Sequence, residues 1–268
     1  MRGTAYALDA TATELVFVAG PTLVAALAVL ATPAWALAVA GALAVAGALG
    51  IATSGAMRGW VPVPVAHRAS PFATVLAPGM PRVLVSGAAL MLGFGALEVA
   101  IPAFADAAGS PGLSGVLLAL WSLGSVAGGL WFGARVVSVS LPRQYRWLLL
   151  GVTIGLAPLA AASDPWVIGA LLFLGGTAIA PTLTVQNSLV GAIAPAHATT
   201  EAFTWLSTMA TGASAVGAAL GGALIETPAG VSGSLLLAVA GAAVAVLVTL
   251  VPGRRPALLD LARESVAA

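Results

Sequence analysis

The chain has 268 residues, 60 % of them hydrophobic and only 7 % charged, with ten arginines, nine carboxylates and a formal net charge of +1. Soluble domains carry roughly 25 % charged residues, and so few charges would leave apolar patches far larger than monomers tolerate, so lipid is the solvent for most of the chain. The balanced charge gives no basic stripe for nucleic acid, and the absence of cysteine excludes disulfides, thiolate metal sites and cysteine nucleophiles.

A bilayer core of about 30 Å needs about 20 apolar helical residues, and runs of that kind predict an all-α integral membrane protein of about eight spans. Barrel strands are excluded because Ala, Leu and Gly dominate and no period-two alternation runs through these segments. The first two spans are Ala12–Thr32 and Ala34–Ser54. Arg2 before an apolar run and Ala34-Trp35-Ala36 imitate a secretory signal, but Asp9 and Glu14 stand where a signal is basic, and the run is too long. The connection Gly55–Arg82, with Pro62, Pro64, Pro71, Pro78 and Pro81, predicts irregular, wet chain. Six further spans follow at Val83–Asp106, Leu113–Ala134, Trp147–Ser163, Trp166–Ile193, Glu201–Ile225 and Val231–Val251. The chain thus divides into residues 1–54, a connection 55–82, a six-helix unit 83–251 and a tail 252–268.

Cytoplasmic loops retain Lys and Arg. With both termini cytoplasmic, Arg2, then Arg58, Arg68 and Arg82, then Arg135, Arg143 and Arg146, and finally Arg254, Arg255 and Arg263 all fall inside, and none outside. Abundant Ala, Gly and Arg with no Lys fits a high-GC bacterial genome, which makes the expected location the bacterial inner membrane.

Polar residues within the spans are few, so their positions are informative. Glu98 lies about 24 Å of helix beyond Arg82, inside the hydrocarbon, where a charged side chain costs roughly 2.5–3.5 kcal/mol and faces a bundle interior or wet cavity. Gly87, Met91, Gly95 and Pro102 surround it as a small, flexible packing face. Glu98 reads either as a proton-binding or substrate-binding carboxylate, or as a neutral acid bonded to a neighbouring helix or reaching the outer interface near Asp106. Gln186-Asn187, following Thr182, Thr184 and Pro181, either line a cavity with a proline-freed carbonyl or end the span at the inner interface. Trp121 sits well inside its span and lines a cavity or packs, whereas Trp131, Trp147, Trp166 and Trp205 fall near span ends as interface belts. Glu14 and Glu201 each begin a span, where the helix dipole favours a carboxylate. Asp106, Asp164 and Glu226 are expected to be solvated at the outer surface.

An enzyme is not expected, nor a cofactor. His67 and His197 are the only histidines and both lie in loops, so no His-Glu-x-x-His site exists. Neither a Gly-x-Ser-x-Gly elbow nor a lysine for a P-loop is present. The expected partners are the lipid bilayer, a small-molecule substrate and protons.

Ala12-Thr13-Glu14-Leu15-Val16-Phe17 has an echo in Thr199-Thr200-Glu201-Ala202-Phe203, six spans later and in the same direction, as in transporters with parallel repeats. Gly20-Pro21 resembles the Gly-Pro centre of the fifth-helix motif of the major facilitator superfamily. The run Gly124 to Arg135, through Gly129 and Gly133, resembles that family's eighth helix and its short basic loop, and Gly217-Ala218-Ala219-Leu220-Gly221-Gly222 its glycine-rich eleventh helix. The resemblance covers family helices five to twelve: a complete C-terminal half plus two helices of the N-terminal half, as a truncated gene, a late start codon or a fragment would give. It implies secondary active transport of a small molecule, drug or metabolite efflux included, by proton coupling in the complete protein. Two departures stand out: Val16, Val24 and Ala25 occupy glycine positions of the antiporter motif, and Gly133 replaces an acidic residue. The alternative is a non-transporting remnant or a helical scaffold.

Overall fold

A computed structural model describes residues 20, 23, 27, 32–58, 74–135, 137–195 and 198–251. The predicted span Ala12–Thr32 apart from isolated positions, Pro21, most of the 55–82 connection, both histidines and the tail 252–268 lie outside the described residues. Gly20 is helical.

Every regular element among the described residues is helical. They are α1 (Pro33–Thr53), the single turn α2 (Gly55–Arg58), α3 (Met80–Ala107), α4 (Leu113–Gly133) and α5 (Leu141–Leu156), which continues as a 3-10 stretch, Ala157–Ala161. Then come α6 (Pro165–Gly176), α7 (Ile179–Ile193), α8 (Thr199–Ile225) and α9 (Gly230–Leu250). Six stretches are long and apolar enough to cross a bilayer: α1, α3, α4, α6 with α7, α8 and α9. The protein is therefore a multi-pass membrane protein in a lipid environment.

Six is fewer than the eight expected. The first predicted span lies outside the described residues, and the predicted span Trp147–Ser163 proves to be a 16-residue α-helix beginning at Leu141. It starts early because Pro142 in the first turn has the helical φ and lacks an N–H that would be unpaired there. Its first turns carry Arg143 and Arg146, which lower its apolarity. Likewise α3 begins at Met80, three residues ahead of the predicted Val83, with Pro81 in its first turn. The 55–82 connection is not irregular throughout, since Gly55–Arg58 forms a helical turn.

The predicted span Trp166–Ile193 is broken at Thr177-Ala178. Four residues later Pro181 cannot donate to the Thr177 carbonyl, and its ring crowds that oxygen. The break leaves backbone groups to be satisfied, and the Ser125 hydroxyl of α4 accepts from the Ala180 amide at 3.2 Å. Asp164, expected to be merely solvated, caps α6, accepting from the Trp166 and Val167 amides at 2.9 and 3.0 Å. Two of the four orphan donors at that helix start are thereby satisfied.

Among the described helices, α3 packs most extensively against α8 and α9, which also pack against each other. Lipid offers no hydrophobic drive for helix association, so close packing of small residues supplies it. Gly95 faces the Ser214 carbonyl and Gly217 faces the Leu92 carbonyl, each so closely that an added methyl group would overlap backbone. Polar bonds pin the arginine-bearing end: Tyr145 and Ser86 hydroxyls lie 3.1 Å apart, and Arg146 donates to the Thr249 carbonyl at 3.0 Å. Near the start of α9, Ser234 donates to the Ala96 carbonyl of α3 at 2.9 Å. By contrast α1 exposes Trp35, Leu37, Leu43, Leu49 and Ile51 around its circumference and has no substantial packing against α3–α9.

Candidate functional site

A cavity of about 640 Å³ lies among α3, α4, α7 and α8. From α3 come Met91, Phe94 and Glu98, spaced so that one helix face presents all three. Across from them α4 contributes Trp121, Ser122 and Ser125, and α7 contributes Ile179 and Leu183. The remaining wall is α8, with Thr211, Ser214 and Ala218 among its lining residues. The glycine contacts of the fold position this wall: Gly95 lets the Ser214 backbone close onto α3, one turn from Glu98.

Glu98 is exposed to the cavity, and among the described residues no arginine or histidine lines it. The Phe94 and Trp121 rings meet edge to face, centroids 5.3 Å apart at 87°, the arrangement that the ring quadrupoles favour. Trp121 thus both packs and lines the cavity. Its indole Nε1 is buried without a hydrogen-bond acceptor among the described residues, an unusual state for a buried donor.

The structure separates the other candidates from this pair. Gln186 is buried, and its Nε2 reaches the Val83 carbonyl at 3.4 Å. Gly87 provides the space for that amide, where a Cβ would collide with it. Gln186 therefore fastens α7 to the first turns of α3 and does not line the cavity. Asn187 is half-buried and also outside the lining. The proposed packing face around Glu98 divides as well: Met91 faces the cavity, Gly87 faces Gln186, and Gly95 faces α8.

Of the eighth-helix positions, Gly129 is 3.0 Å, measured from an ideal Cβ, from the Ala180 methyl, while Gly133 has open space around it. The Arg135 guanidinium stacks over the Trp131 ring at 3.9 Å, a cation–π contact outside the cavity. Glu201 occupies the first turn of α8, where the dipole favours it, but makes no cap bond; the N-cap is Ala198.

One feature of α8 was not anticipated from the sequence. Thr199, Thr200, Thr204, Ser207 and Thr208 border an open groove of about 530 Å³ on the same helix that lines the cavity. At 3.6 residues per turn, Thr200, Thr204, Ser207, Thr208, Thr211 and Ser214 fall within about 120° of one face. A hydroxyl track thus leads from the start of α8 to the Glu98 cavity. Among the described residues no cluster of three potential metal ligands occurs.

No family model matches the chain. No curated protein matches it either.

Proposed function

We infer that the chain forms one wall of a secondary transporter of the major facilitator type, with Glu98 as its proton-binding carboxylate and the α3–α4–α7–α8 cavity as half of its solute site. The observation that carries this reading is the cavity itself, a drug-sized concavity within helices of membrane-spanning length, into which the one carboxylate deep within a described span is turned. Eight spans with cytoplasmic termini and a six-helix unit over 83–251 complete the proposal, supported by the arginine distribution and by the motif resemblance.

Alternating access requires one six-helix half to rock against the other around a site between them. Glu98 would take a proton from one side and release it when the cavity opens to the other, a step that Gln cannot perform. The test is accumulation against an imposed pH gradient, with sugars, amino acids, organic anions and organic cations offered in turn to protein supplied with the four further helices the resemblance implies. Glu98→Gln is expected to abolish gradient-driven accumulation at unchanged amounts of membrane protein. Undiminished coupling in the variant removes Glu98 from the mechanism.

A further inference from the structure

We propose that the Glu98 cavity takes a hydrophobic organic cation, a monovalent ammonium or phosphonium ion with an aromatic or aliphatic body. The proposal rests on the solute-site reading above and narrows it to one chemical class.

The argument starts from what could neutralise Glu98. A carboxylate within the hydrocarbon pairs with a cation, a backbone donor or a proton. No hydrogen bond or ion pair engages the Glu98 carboxylate among the described residues, and it is exposed to the cavity. The groups opposite it are neutral on every packed element: hydroxyls, aliphatic chains and an indole from α4, α7 and α8. Arg82, Arg135, Arg143 and Arg146 all lie at or beyond the other ends of their helices.

The remaining walls specify the rest of the ligand. Met91, Ile179 and Leu183 present apolar surface, and Trp121, half-buried and braced edge to face by Phe94, presents an indole whose quadrupole attracts a cation. An inorganic cation would leave this apolar surface unused and find only one carboxylate and scattered hydroxyls, too few hard oxygen ligands for a metal site. A sugar or amino acid would lack partners for most of its polar groups. An organic cation matches both features, its charge at Glu98 and its body against the apolar and aromatic walls.

The test is equilibrium dialysis of tetraphenylphosphonium against the detergent-solubilised chain, with neutral triphenylphosphine oxide as the comparator. Saturable binding of tetraphenylphosphonium is expected at one site per chain, weakened at least tenfold in Glu98→Gln. Glu226→Gln removes the same charge from the exposed acidic end and should bind like the wild type, and Glu98→Asp should stay within a few-fold of it. Triphenylphosphine oxide should bind Glu98→Gln no more weakly than wild type, which shows that the variant retains its cavity. Equal tetraphenylphosphonium affinity in wild type and Glu98→Gln, equal loss in Glu226→Gln, or no saturable binding would each overturn the proposal. Coupled transport of a different solute class would refute the cation assignment and leave the transporter reading intact, whereas binding by the chain with no coupled transport in the protein supplied with the four further helices would do the reverse.

Discussion

At the scale of single residues, the chain separates groups that serve packing from groups that face the cavity. Gly217 serves packing: a Cβ there would collide with the Leu92 carbonyl, so Gly217→Leu must push α8 from α3. Overpacking of this kind costs about 1–3 kcal/mol, so the variant should unfold at a lower temperature in detergent. Gly212 sits on the same helix with open space around it, and Gly212→Ala is expected to gain up to about 1 kcal/mol from helix propensity. A thermal melt of the pair checks both signs, and destabilisation by Gly212→Ala would show that its face is covered. Gln186→Leu should lower stability by about 1 kcal/mol, in the range of interhelical hydrogen bonds in membranes, while leaving tetraphenylphosphonium binding unchanged. Glu98 and Trp121 were legible in the sequence because each is an anomaly in an apolar span. Phe94 was not, since an aromatic in such a span is unremarkable until its neighbour is known. Gln186 and Asn187 are anomalies of the same kind as Glu98, yet their direction depends on rotation about α7, which Pro181 and the break at Thr177 set.

At the scale of helices, the apolar runs place most of the described span starts within three residues and that of α5 six residues too late. Interfacial residues such as Leu141-Pro142-Arg143 join a helix because backbone hydrogen bonds need satisfying there too, so hydropathy places the start of α5 too late. The hydroxyl track of α8 escaped notice for a related reason. Thr and Ser in membrane helices satisfy their own hydroxyls on backbone carbonyls, as Thr204 does on Thr200 at 2.9 Å, so their presence alone does not mark a wet surface. What marks it is the sharing of one exposed face that ends in the cavity. Because the chain has no cysteine, each introduced thiol is unique. Thr204→Cys and Thr211→Cys should react with a charged, membrane-impermeant methanethiosulfonate, while Leu220→Cys, about 160° round the helix from Thr204, should resist it. Equal protection of all three would mean that lipid or protein covers the track.

At the scale of the whole molecule, the described arginines gather at one end of the bundle, with Glu201 as the one carboxylate described there, and three carboxylates stand at the other end. Arg82, Arg143 and Arg146 stand at helix starts on one end, and Asp106, Asp164 and Glu226 at the other. Reporter fusions after Gly109 and Gly230 should therefore read outside and fusions within 55–82 inside; an inside reading at Gly109 would overturn the topology. Within this frame the cavity has walls from α3, α4, α7 and α8, while among the described residues the apolar surface of α1 has no substantial packing partner. A rocking mechanism needs a second half opposite these walls, and the 268-residue chain alone is expected to bind solute without moving it uphill. Reconstitution into liposomes under an imposed pH gradient tests this most directly, comparing the chain alone with the chain joined to four further N-terminal helices. The account predicts gradient-driven accumulation only in the joined protein, and its loss in Glu98→Gln. Robust accumulation by the chain alone, or coupling in the joined protein that is indifferent to Glu98, would contradict it.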